Sequence, residues 1–203
     1  YHVATDWKRF QGRWEDVFAI WQGGLGIPGG LAAGVLVGAL VARRRGMDLP
    51  VMFDAVIPTL PIAQAIGRWG NWFNQEVFGR PTDLPWGLRI DEAHRPLDYL
   101  SDTTFHPTFL YEIIWNLAGV AVLLLLDARL RVQWGKLLGA YLIWYGVGRS
   151  VFETIRLDPS ELFLGVRVNV WAAWGAVLLG LIIVLVQRRR HTGDEPSVYQ
   201  PGR

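Results

Sequence analysis

Long apolar stretches alternate with short polar segments along the chain. Four apolar stretches lack Lys and Arg, over 21–42, 51–66, 109–126 and 168–187, and a fifth, shorter one covers 137–148. A bilayer core requires about 20 helical residues, so the second and fifth stretches need flanking residues to cross it. That extension brings Arg68 and Arg149 to the membrane boundary. The pattern predicts an all-α, polytopic helical membrane protein with five spans and a small extramembrane head segment.

The second stretch has features that predict an irregular helix. It contains Asp54 together with Pro58 and Pro61. Proline lacks a backbone donor and clashes with the preceding turn, so it kinks or breaks a helix. We therefore expect this span to be kinked or partly unwound before it reaches the polar stretch that follows.

Composition excludes several classes of function. The chain has 203 residues, of which 51% are hydrophobic, and this is too apolar for an ordinary soluble domain of this size. It contains no cysteine, so any thiol chemistry must take place on a substrate. The formal net charge of +2 is too small to favour nucleic acid, and we predict no nucleic-acid partner.

The distribution of basic residues predicts the orientation in the membrane. Segments 43–50, 127–136 and 188–203 hold ten Lys and Arg in 34 residues, whereas 1–20, 67–108 and 153–167 hold nine in 77. Because basic residues concentrate in cytoplasmic loops, the first three segments are predicted to be cytoplasmic. The predicted organisation is a transmembrane domain over 1–190, with an inserted outer-face head over about 67–108, and a disordered cytoplasmic tail over 191–203.

A polar stretch over 67–80 follows the second span directly. Its members include Gly67, Arg68, Gly70, Asn71, Asn74, Gln75, Glu76 and Gly79. On a helix, Arg68, Asn71 and Gln75 share one face, and the glycines leave room for a ligand or another backbone. A single interfacial arginine that reaches toward water is the simpler explanation. The density of polar groups around Arg68 favours a site for an anionic head group instead.

The fifth span carries a column of polar residues. Tyr145, Arg149 and Glu153 follow one another at intervals of four, so they lie on one helical face. An internal ion pair between Arg149 and Glu153 is one explanation. The other is that the guanidinium keeps donors free to hold a phosphate as a fork, which lysine does less well.

Polar residues also occur where the chain re-enters the membrane after the head. Glu112 lies within the predicted span, with Asn116 four residues later on the same face. A glutamate at this depth belongs either to a functional site or to a polar clasp between helices. His106, just before the span, is either a general base or a capping polar residue.

Three motifs resemble those of the bacterial phosphatidylglycerol-prolipoprotein diacylglyceryl transferases. The stretch 67–79 is similar to the family signature Gly-Arg-x-Gly-Asn-Phe-x-Asn-x-Glu-x-x-Gly. Two later motifs follow in the family's order, His106-Pro107-Thr108-x-x-Tyr111-Glu112 and Tyr145-Gly146-x-x-Arg149-x-x-x-Glu153. The similarity extends over nearly the whole chain, up to Arg190.

The resemblance implies transfer of the diacylglyceryl group from phosphatidylglycerol to the lipobox cysteine in the signal peptide of a prolipoprotein. This is the first step of bacterial lipoprotein maturation, and it places the protein in the inner membrane. The catalytic residues would be Arg68, Arg149, His106 and Glu76, and the substrate-binding residues Arg68, Asn71, Asn74, Gly79, Tyr111, Tyr145 and Glu153. The implied partners are phosphatidylglycerol, the prolipoprotein and membrane lipids, with no metal and no cofactor.

Each group has an expected role under this interpretation. The two arginines would clamp the departing phosphate, and Asn71 and Tyr145 would orient the head group. Glu76 and Glu153 would fix the arginines as hydrogen-bonding partners. The glycines of the signature, Gly67, Gly70 and Gly79, would let the lipid come close. The thiol proton would pass to His106 or to the substrate phosphate.

Two positions depart from the family pattern. Trp72 stands where the signature usually has Phe, which keeps the aromatic character. Pro28 occupies the place of the histidine in the family's His-Gly-Gly-Leu motif, so a histidine base at that place cannot operate here. The family also has at least one further N-terminal span.

Two other functions fit the same residues. A transporter or flippase for anionic lipid head groups would also use paired arginines, but the halves of the chain show no convincing internal similarity of the kind that inverted repeats produce. A structural scaffold would tolerate apolar residues in place of the buried polar ones.

Overall fold

The computed structural model of the protein describes residues 27–158, 160 and 162–193. The chain divides into two compact units, one made of 1–49 and 198–203 and the other of 50–197. Most of the predicted tail, over 194–203, lies outside the described residues, as does the start of the first predicted span over 21–26.

Six helices account for most of the described chain. They are α1 Ile27–Arg44, α2 Leu49–Val56, α3 Thr59–Asn74, α4 Thr108–Leu130, α5 Lys136–Glu153 and α6 Val168–Arg190. Among the described residues, three segments are long and apolar enough to cross a membrane, namely Leu49–Asn74, Thr108–Leu130 and Val168–Arg190. The predicted class, a helical membrane protein, is confirmed, and the arrangement of five spans stays a prediction.

Helix α1 belongs to the first unit and ends at a glycine turn. Its last turn carries Arg43 and Arg44, which interact favourably with the negative end of the helix dipole. Gly46 follows with a φ of 67°, and the amide of Met47 donates to the Ala42 carbonyl over 2.9 Å. A glycine in the left-handed conformation is a common helix terminator because it has no Cβ to clash.

The second predicted span is broken as its prolines indicate. Helix α2 ends at Val56 and α3 begins at Thr59, with Pro58 between them. The Thr59 hydroxyl donates to the Val56 carbonyl over 2.7 Å, which satisfies one of the acceptors that the break leaves open. Pro61 falls in the first turn of α3, where a missing amide costs nothing.

A buried carboxylate fixes the start of α5. Asp54 of α2 accepts hydrogen bonds from the amides of Gly135, at 2.7 Å, and Leu137, at 3.0 Å. Gly135 has a φ of 78°, so a side chain would be strained at this turn. The amides at a helix N-terminus lack acceptors within the helix, and the carboxylate oxygens of Asp54 are the acceptors here.

Helices α5 and α6 pack with their backbones in near contact. A Cβ on Gly139 would lie 2.7 Å from the Gly180 carbonyl oxygen, and a Cβ on Gly146 would lie 2.5 Å from that of Ala173. Small residues let helices approach closely inside a membrane, where packing is the main force between them. The pair therefore forms a close-packed hairpin.

A pair of tryptophans joins α4 to α5. The rings of Trp115 and Trp144 stack with their centres 4.2 Å apart. Each indole N–H donates to the backbone carbonyl of the other tryptophan, over 3.3 Å from Trp115 and 3.1 Å from Trp144. Gly119 and Gly148 leave space for the rings, since a Cβ at either glycine would collide with an indole.

The head between α3 and α4 is a small folded layer. Its strands β1 Leu88–Arg89 and β2 Thr104–Phe105 pair antiparallel, and two short 3₁₀ helices cover Glu92–His94 and Leu97–Tyr99. A cluster of buried residues, Phe78, Ile90 and Phe105, forms its core. Helix α3 continues to Asn74, so the non-helical part of the predicted head begins at Gln75.

A two-stranded β-hairpin lies between α5 and α6 in the chain. Its strands β3 Leu162–Phe163 and β4 Val166–Arg167 are linked by Leu164 and Gly165, which both have positive φ. Two such residues form the turn that matches the natural twist of a hairpin. The hairpin brings Arg167 back to the end of α5.

The glycine contact between α5 and α6 generates opposite expectations for two alanine substitutions. Gly139→Ala should lower the free energy of unfolding by about 1–3 kcal/mol, because its methyl group collides with the α6 backbone. Gly175→Ala, in open surroundings on α6, should raise it by up to about 1 kcal/mol through helix propensity. Thermal unfolding in detergent micelles checks both, and equal effects would contradict the close packing.

Candidate active site

A carboxylate on α4 joins two arginines from different parts of the chain. Glu112 is buried and forms an ion pair with Arg68 of α3. Its other oxygen, Oε1, lies 3.6 Å from a guanidinium nitrogen of Arg156, in the segment that follows α5. A buried charge is stable only when it is paired, so Glu112 fixes the positions of both arginines.

Arg149, the second arginine of the predicted site, is held by an ion pair within α5. Arg149 lies 3.0 Å from Glu153, and the side chain of Glu153 is fully buried. Glu153 also accepts a hydrogen bond from the Asn169 amide over 3.0 Å and pairs with Arg167 at 3.3 Å. The predicted ion pair within α5 is therefore present, and it belongs to a larger network with α6.

Arg156 and Arg167 complete this network at the C-terminal end of α5. Arg156 makes two hydrogen bonds to the carboxylate of Asp158, at 2.7 and 2.8 Å. Arg167 donates to the backbone carbonyls of Glu153, over 2.8 Å, and of Arg156 and Asp158. Burial lowers the pKa of Arg156, but the hydrogen bonds and the charge of Asp158 outweigh it and raise the pKa above its usual value. Arg156 therefore stays charged.

The linked ion pairs carry an excess of positive charge. Four guanidinium groups, from Arg68, Arg149, Arg156 and Arg167, face three carboxylates, from Glu112, Glu153 and Asp158. Every arginine has a carboxylate neighbour, but two of the carboxylates are each shared by two arginines, so the cluster has a net charge of +1. An anion that entered would be attracted by a preorganised field, in surroundings where charges are poorly screened.

Arg68 and Arg149 line the same pocket. The pocket encloses about 330 Å³ of empty space, its open mouth included, and lies between α3, α4 and α5. Its lining residues are Gln64, Arg68, Glu112, Trp115, Asn116, Tyr145, Gly148, Arg149 and Phe152. The two guanidinium groups are partly exposed, at 27% and 17% of their side-chain surface, so a ligand can reach them.

The structure corrects the predicted partner of Arg68. That partner is Glu112, whereas Glu76 accepts hydrogen bonds from the side-chain amides of Asn71, at 2.9 Å, and Asn74, at 3.1 Å. These three residues form an exposed cluster at the end of α3. Asn71 and Asn74 consequently do not line the pocket that Arg68 and Arg149 share.

Gln75 also leaves the predicted helical face. It adopts a left-handed conformation, with a φ of 48°, and caps α3. Its side chain donates to Asp91 over 2.6 Å and accepts from the Asp91 amide over 2.8 Å. Gln75 therefore connects the end of α3 to the head, while Arg68 lines the pocket about two turns earlier in α3.

His106, at the end of the head, meets Tyr111, in the first turn of α4. The hydroxyl of Tyr111 lies 3.1 Å from the Nδ1 atom of His106 and accepts a hydrogen bond from the Trp86 indole over 2.8 Å. None of the three belongs to the pocket lining. The structure thus brings the two predicted residues together with a third, which the sequence did not indicate.

Gly79 is required by the protein's own packing. Its amide donates to the His106 carbonyl over 2.8 Å, and a Cβ at this position would lie 2.8 Å from side-chain carbons of both Ile155 and Thr108. Protein atoms occupy the space on the Cβ side of Gly79, and the expected close approach of lipid there stays a prediction. Gly67 and Gly70 differ, since a Cβ built on either of them would have no neighbouring atom within 4 Å.

Several residues of this site escaped prediction. Three of them lie in non-helical segments, where no helical periodicity can identify them, namely Arg156, Asp158 and Arg167. The one local signal was the spacing of Arg156 and Asp158, whose opposite charges are two residues apart in the sequence. Gln64 interrupts an apolar stretch one turn before Arg68. The spacing of four residues between Gln64 and Arg68 would have placed them on one helical face. The same spacing identified Tyr145, Arg149 and Glu153 on one face of α5.

Comparison with known proteins decides the family. A family model described as prolipoprotein diacylglyceryl transferase matches residues 1–186. The chain belongs to this family. The transferase of Leifsonia xyli is 50% identical over all of this chain and 61% of its own length, and that of Cutibacterium acnes is 46% identical over 97% and 68%. Both are named phosphatidylglycerol–prolipoprotein diacylglyceryl transferase, as is a relative from Frankia alni, 46% identical over 97% of this chain and 52% of its own length.

The chain thus spans about three fifths of the length of the first of these curated relatives. The family model covers all six helices except the last residues of α6. The pocket, its two arginines and both ion-pair networks lie within the matched region. The prolipoprotein diacylglyceryl transferase family therefore provides the context in which this site is interpreted.

Two glutamates provide a test of the ion-pair network in this family member. Glu112→Gln should lower the free energy of unfolding by about 3 kcal/mol, since it leaves Arg68 without its carboxylate and removes one of the two carboxylates beside Arg156. Glu76→Gln, whose partners are neutral amides at the surface, should change it by less than about 1 kcal/mol. Thermal unfolding in micelles measures both, and an equal cost would refute the central place of Glu112.

Proposed function

We propose that this protein transfers the diacylglyceryl group of phosphatidylglycerol to the lipobox cysteine of prolipoproteins. The observation that carries the proposal is the convergence of Arg68 and Arg149, from two separate helices, on one pocket with an excess of positive charge. Membership of the family and the names of the relatives support the same activity.

The proposed location is the bacterial inner membrane, with the head on the outer face and the C-terminus in the cytoplasm. Three apolar helices of sufficient length support a membrane location. The orientation rests on the basic residues, which are denser in 43–50, 127–136 and 188–203 than in the intervening segments. In this orientation the pocket opens toward the leaflet in which an exported prolipoprotein presents its signal peptide.

The reaction exchanges one bond at a glycerol carbon for another. The cysteine sulfur attacks the carbon that carries the phosphate, the carbon–oxygen bond breaks, and a thioether forms. Glycerol 1-phosphate leaves with the bonding electrons, and the thiol proton must be taken up by a base. Because a free thiol has a pKa of about 8.5, its ionisation has to accompany or precede the attack.

The arginines act on the leaving group in this proposal. As the carbon–oxygen bond breaks, negative charge grows on the phosphate, and Arg68 and Arg149 hold donors ready for it. Glu112 and Glu153 keep the two guanidinium groups in place, and Tyr145 donates a hydrogen bond to the head group. Asn71, Asn74 and Glu76 stabilise the end of α3, which carries Arg68.

The proton acceptor in the proposal is the phosphate of the leaving group. Its oxygens lie beside the breaking bond, and glycerol phosphate gains basicity as it departs. His106 is an alternative that the sequence suggests, but its partners are Tyr111 and, through it, Trp86 in the head. Transfer to the phosphate requires no movement of the head.

Incubation of the purified protein with phosphatidylglycerol vesicles and a lipobox peptide tests the function. We expect a peptide mass increased by one diacylglyceryl group, attached to the cysteine, and release of one equivalent of glycerol phosphate. A peptide with serine in place of the cysteine is the control. Movement of phosphatidylglycerol between leaflets without any adduct would overturn the proposal in favour of a transporter.

Lysine variants test the arginine clamp in that assay. Arg68→Lys and Arg149→Lys should each reduce transfer at least about a hundredfold, because a point charge does not reproduce the fork of donors. Unfolding temperatures close to that of the unmodified protein would show that the loss is catalytic. Near-normal transfer by either variant would refute the clamp.

Histidine variants decide between the two proton acceptors. We expect His106→Ala to reduce transfer by less than about tenfold, since the phosphate takes the proton. His94→Ala, at an exposed 3₁₀ helix of the head, provides the matched control. A reduction by a hundredfold or more, confined to the His106 variant, is the range for a lost general base and would assign that role to His106.

A further inference from the structure

A buried acceptor in the pocket has no partner. The side-chain nitrogen of Gln64, on α3, donates to the hydroxyl of Tyr141 over 2.9 Å. Its oxygen, Oε1, is buried and accepts no hydrogen bond from the residues that the structure describes. Proteins seldom leave such an atom unsatisfied, and where they do, a ligand or an ordered water is the usual reason. Gln64 also lines the pocket.

The pocket has two tiers, and Gln64 belongs to the inner one. Three helices each contribute two lining residues four apart, as the pairs Gln64 and Arg68, Glu112 and Asn116, and Tyr145 and Arg149. In each pair the charged residue lies nearer the head, because α3 and α5 run toward it and α4 runs away from it. The outer tier is therefore charged, and the inner tier, about 6 Å deeper, is polar and neutral.

The neutral tier suits a hydroxyl better than an ammonium or an acyl chain. An ammonium group at this depth would need a carboxylate beside it, and the inner residues provide an amide, a second amide and a phenol. An acyl chain would leave these groups unsatisfied. A hydroxyl can donate to Gln64 Oε1 and accept from Asn116 or Tyr145 at the same time.

We infer that the inner tier is a subsite for the hydroxyl groups of a phospholipid head group. This inference rests on the proposed function, in which the outer tier holds the phosphate. A phosphate between Arg68 and Arg149 places the glycerol of phosphatidylglycerol one helical turn deeper, within reach of Gln64 Oε1. Gln64 is then a specificity-determining residue, because it selects an uncharged, hydroxylated head group.

A site that hydrogen-bonds a hydroxyl rejects analogues without it, since its own polar groups would remain unpaired. Phosphatidylethanol is such an analogue, with the same phosphodiester charge and an ethyl group in place of the glycerol. We expect the unmodified protein to transfer the diacylglyceryl group from phosphatidylglycerol at least about thirtyfold faster than from phosphatidylethanol in matched vesicles. In both reactions the sulfur–carbon bond forms and the carbon–oxygen bond to phosphate breaks, so only the head group differs.

Gln64→Leu removes the acceptor and keeps a similar volume on the helix. We expect transfer from phosphatidylglycerol to fall about tenfold and transfer from phosphatidylethanol to stay within twofold, so that the preference falls about tenfold. Gln187→Leu makes the same change on α6, outside the pocket lining, and should leave both rates unchanged. A second variant, Asn116→Leu, tests the same tier at a half-buried position and should lower the preference in the same direction.

Each outcome of this experiment has a separate meaning. Equal rates from the two lipids with the unmodified protein would overturn the subsite and leave the transferase function intact. No adduct from either lipid would overturn the function itself. If Gln64→Leu slowed both lipids equally, Oε1 would bind an ordered water only, and the subsite would again be refuted. A preference lost in both inner-tier variants supports the assignment.

Discussion

Glu112 holds one negative charge between two guanidinium groups that come from distant parts of the chain. Because a buried carboxylate without a counterion is costly, α3 and the segment after α5 must each deliver an arginine to α4. Gly79 makes this possible on the head side, since its missing side chain allows the backbone of residue 79 to lie against Ile155 and Thr108. The position of Arg156, and hence of the second positive charge beside Glu112, depends on that contact.

The pocket combines a rigid frame with an incomplete charge balance. On one side, α5 and α6 are locked by glycines and by the bonds of Glu153 to Arg149, Asn169 and Arg167. On the other, α4 joins α5 through paired tryptophans. A frame of this kind keeps the arginines in place before a ligand arrives, so little reorganisation is needed when charge develops. The neutral polar residues of the inner tier, Gln64, Asn116 and Tyr145, belong to the same three helices and are held by the same packing.

Much of this fold could be predicted from the sequence, because its signals are local. Apolar length indicates the spans, Pro58 marks the break between α2 and α3, and the interval of four places Tyr145, Arg149 and Glu153 on one face. The partner of Arg68 could not be found in this way. Glu76 is close to it in sequence, but the chain turns at Gln75, and the carboxylate that meets Arg68 comes from α4. Contacts between separate helices leave no periodic trace, and the same holds for the loop residues Arg156 and Arg167.

The stacked indoles of Trp115 and Trp144 have a spectroscopic consequence. Two indoles at 4.2 Å couple their electronic transitions, so the pair should give a strong near-ultraviolet circular dichroism signal of its own. Trp115 also forms part of the pocket wall, which makes this coupling sensitive to what occupies the neighbouring space. The protein thus carries an intrinsic optical probe at its site, and occupancy of the pocket can be followed without any attached dye.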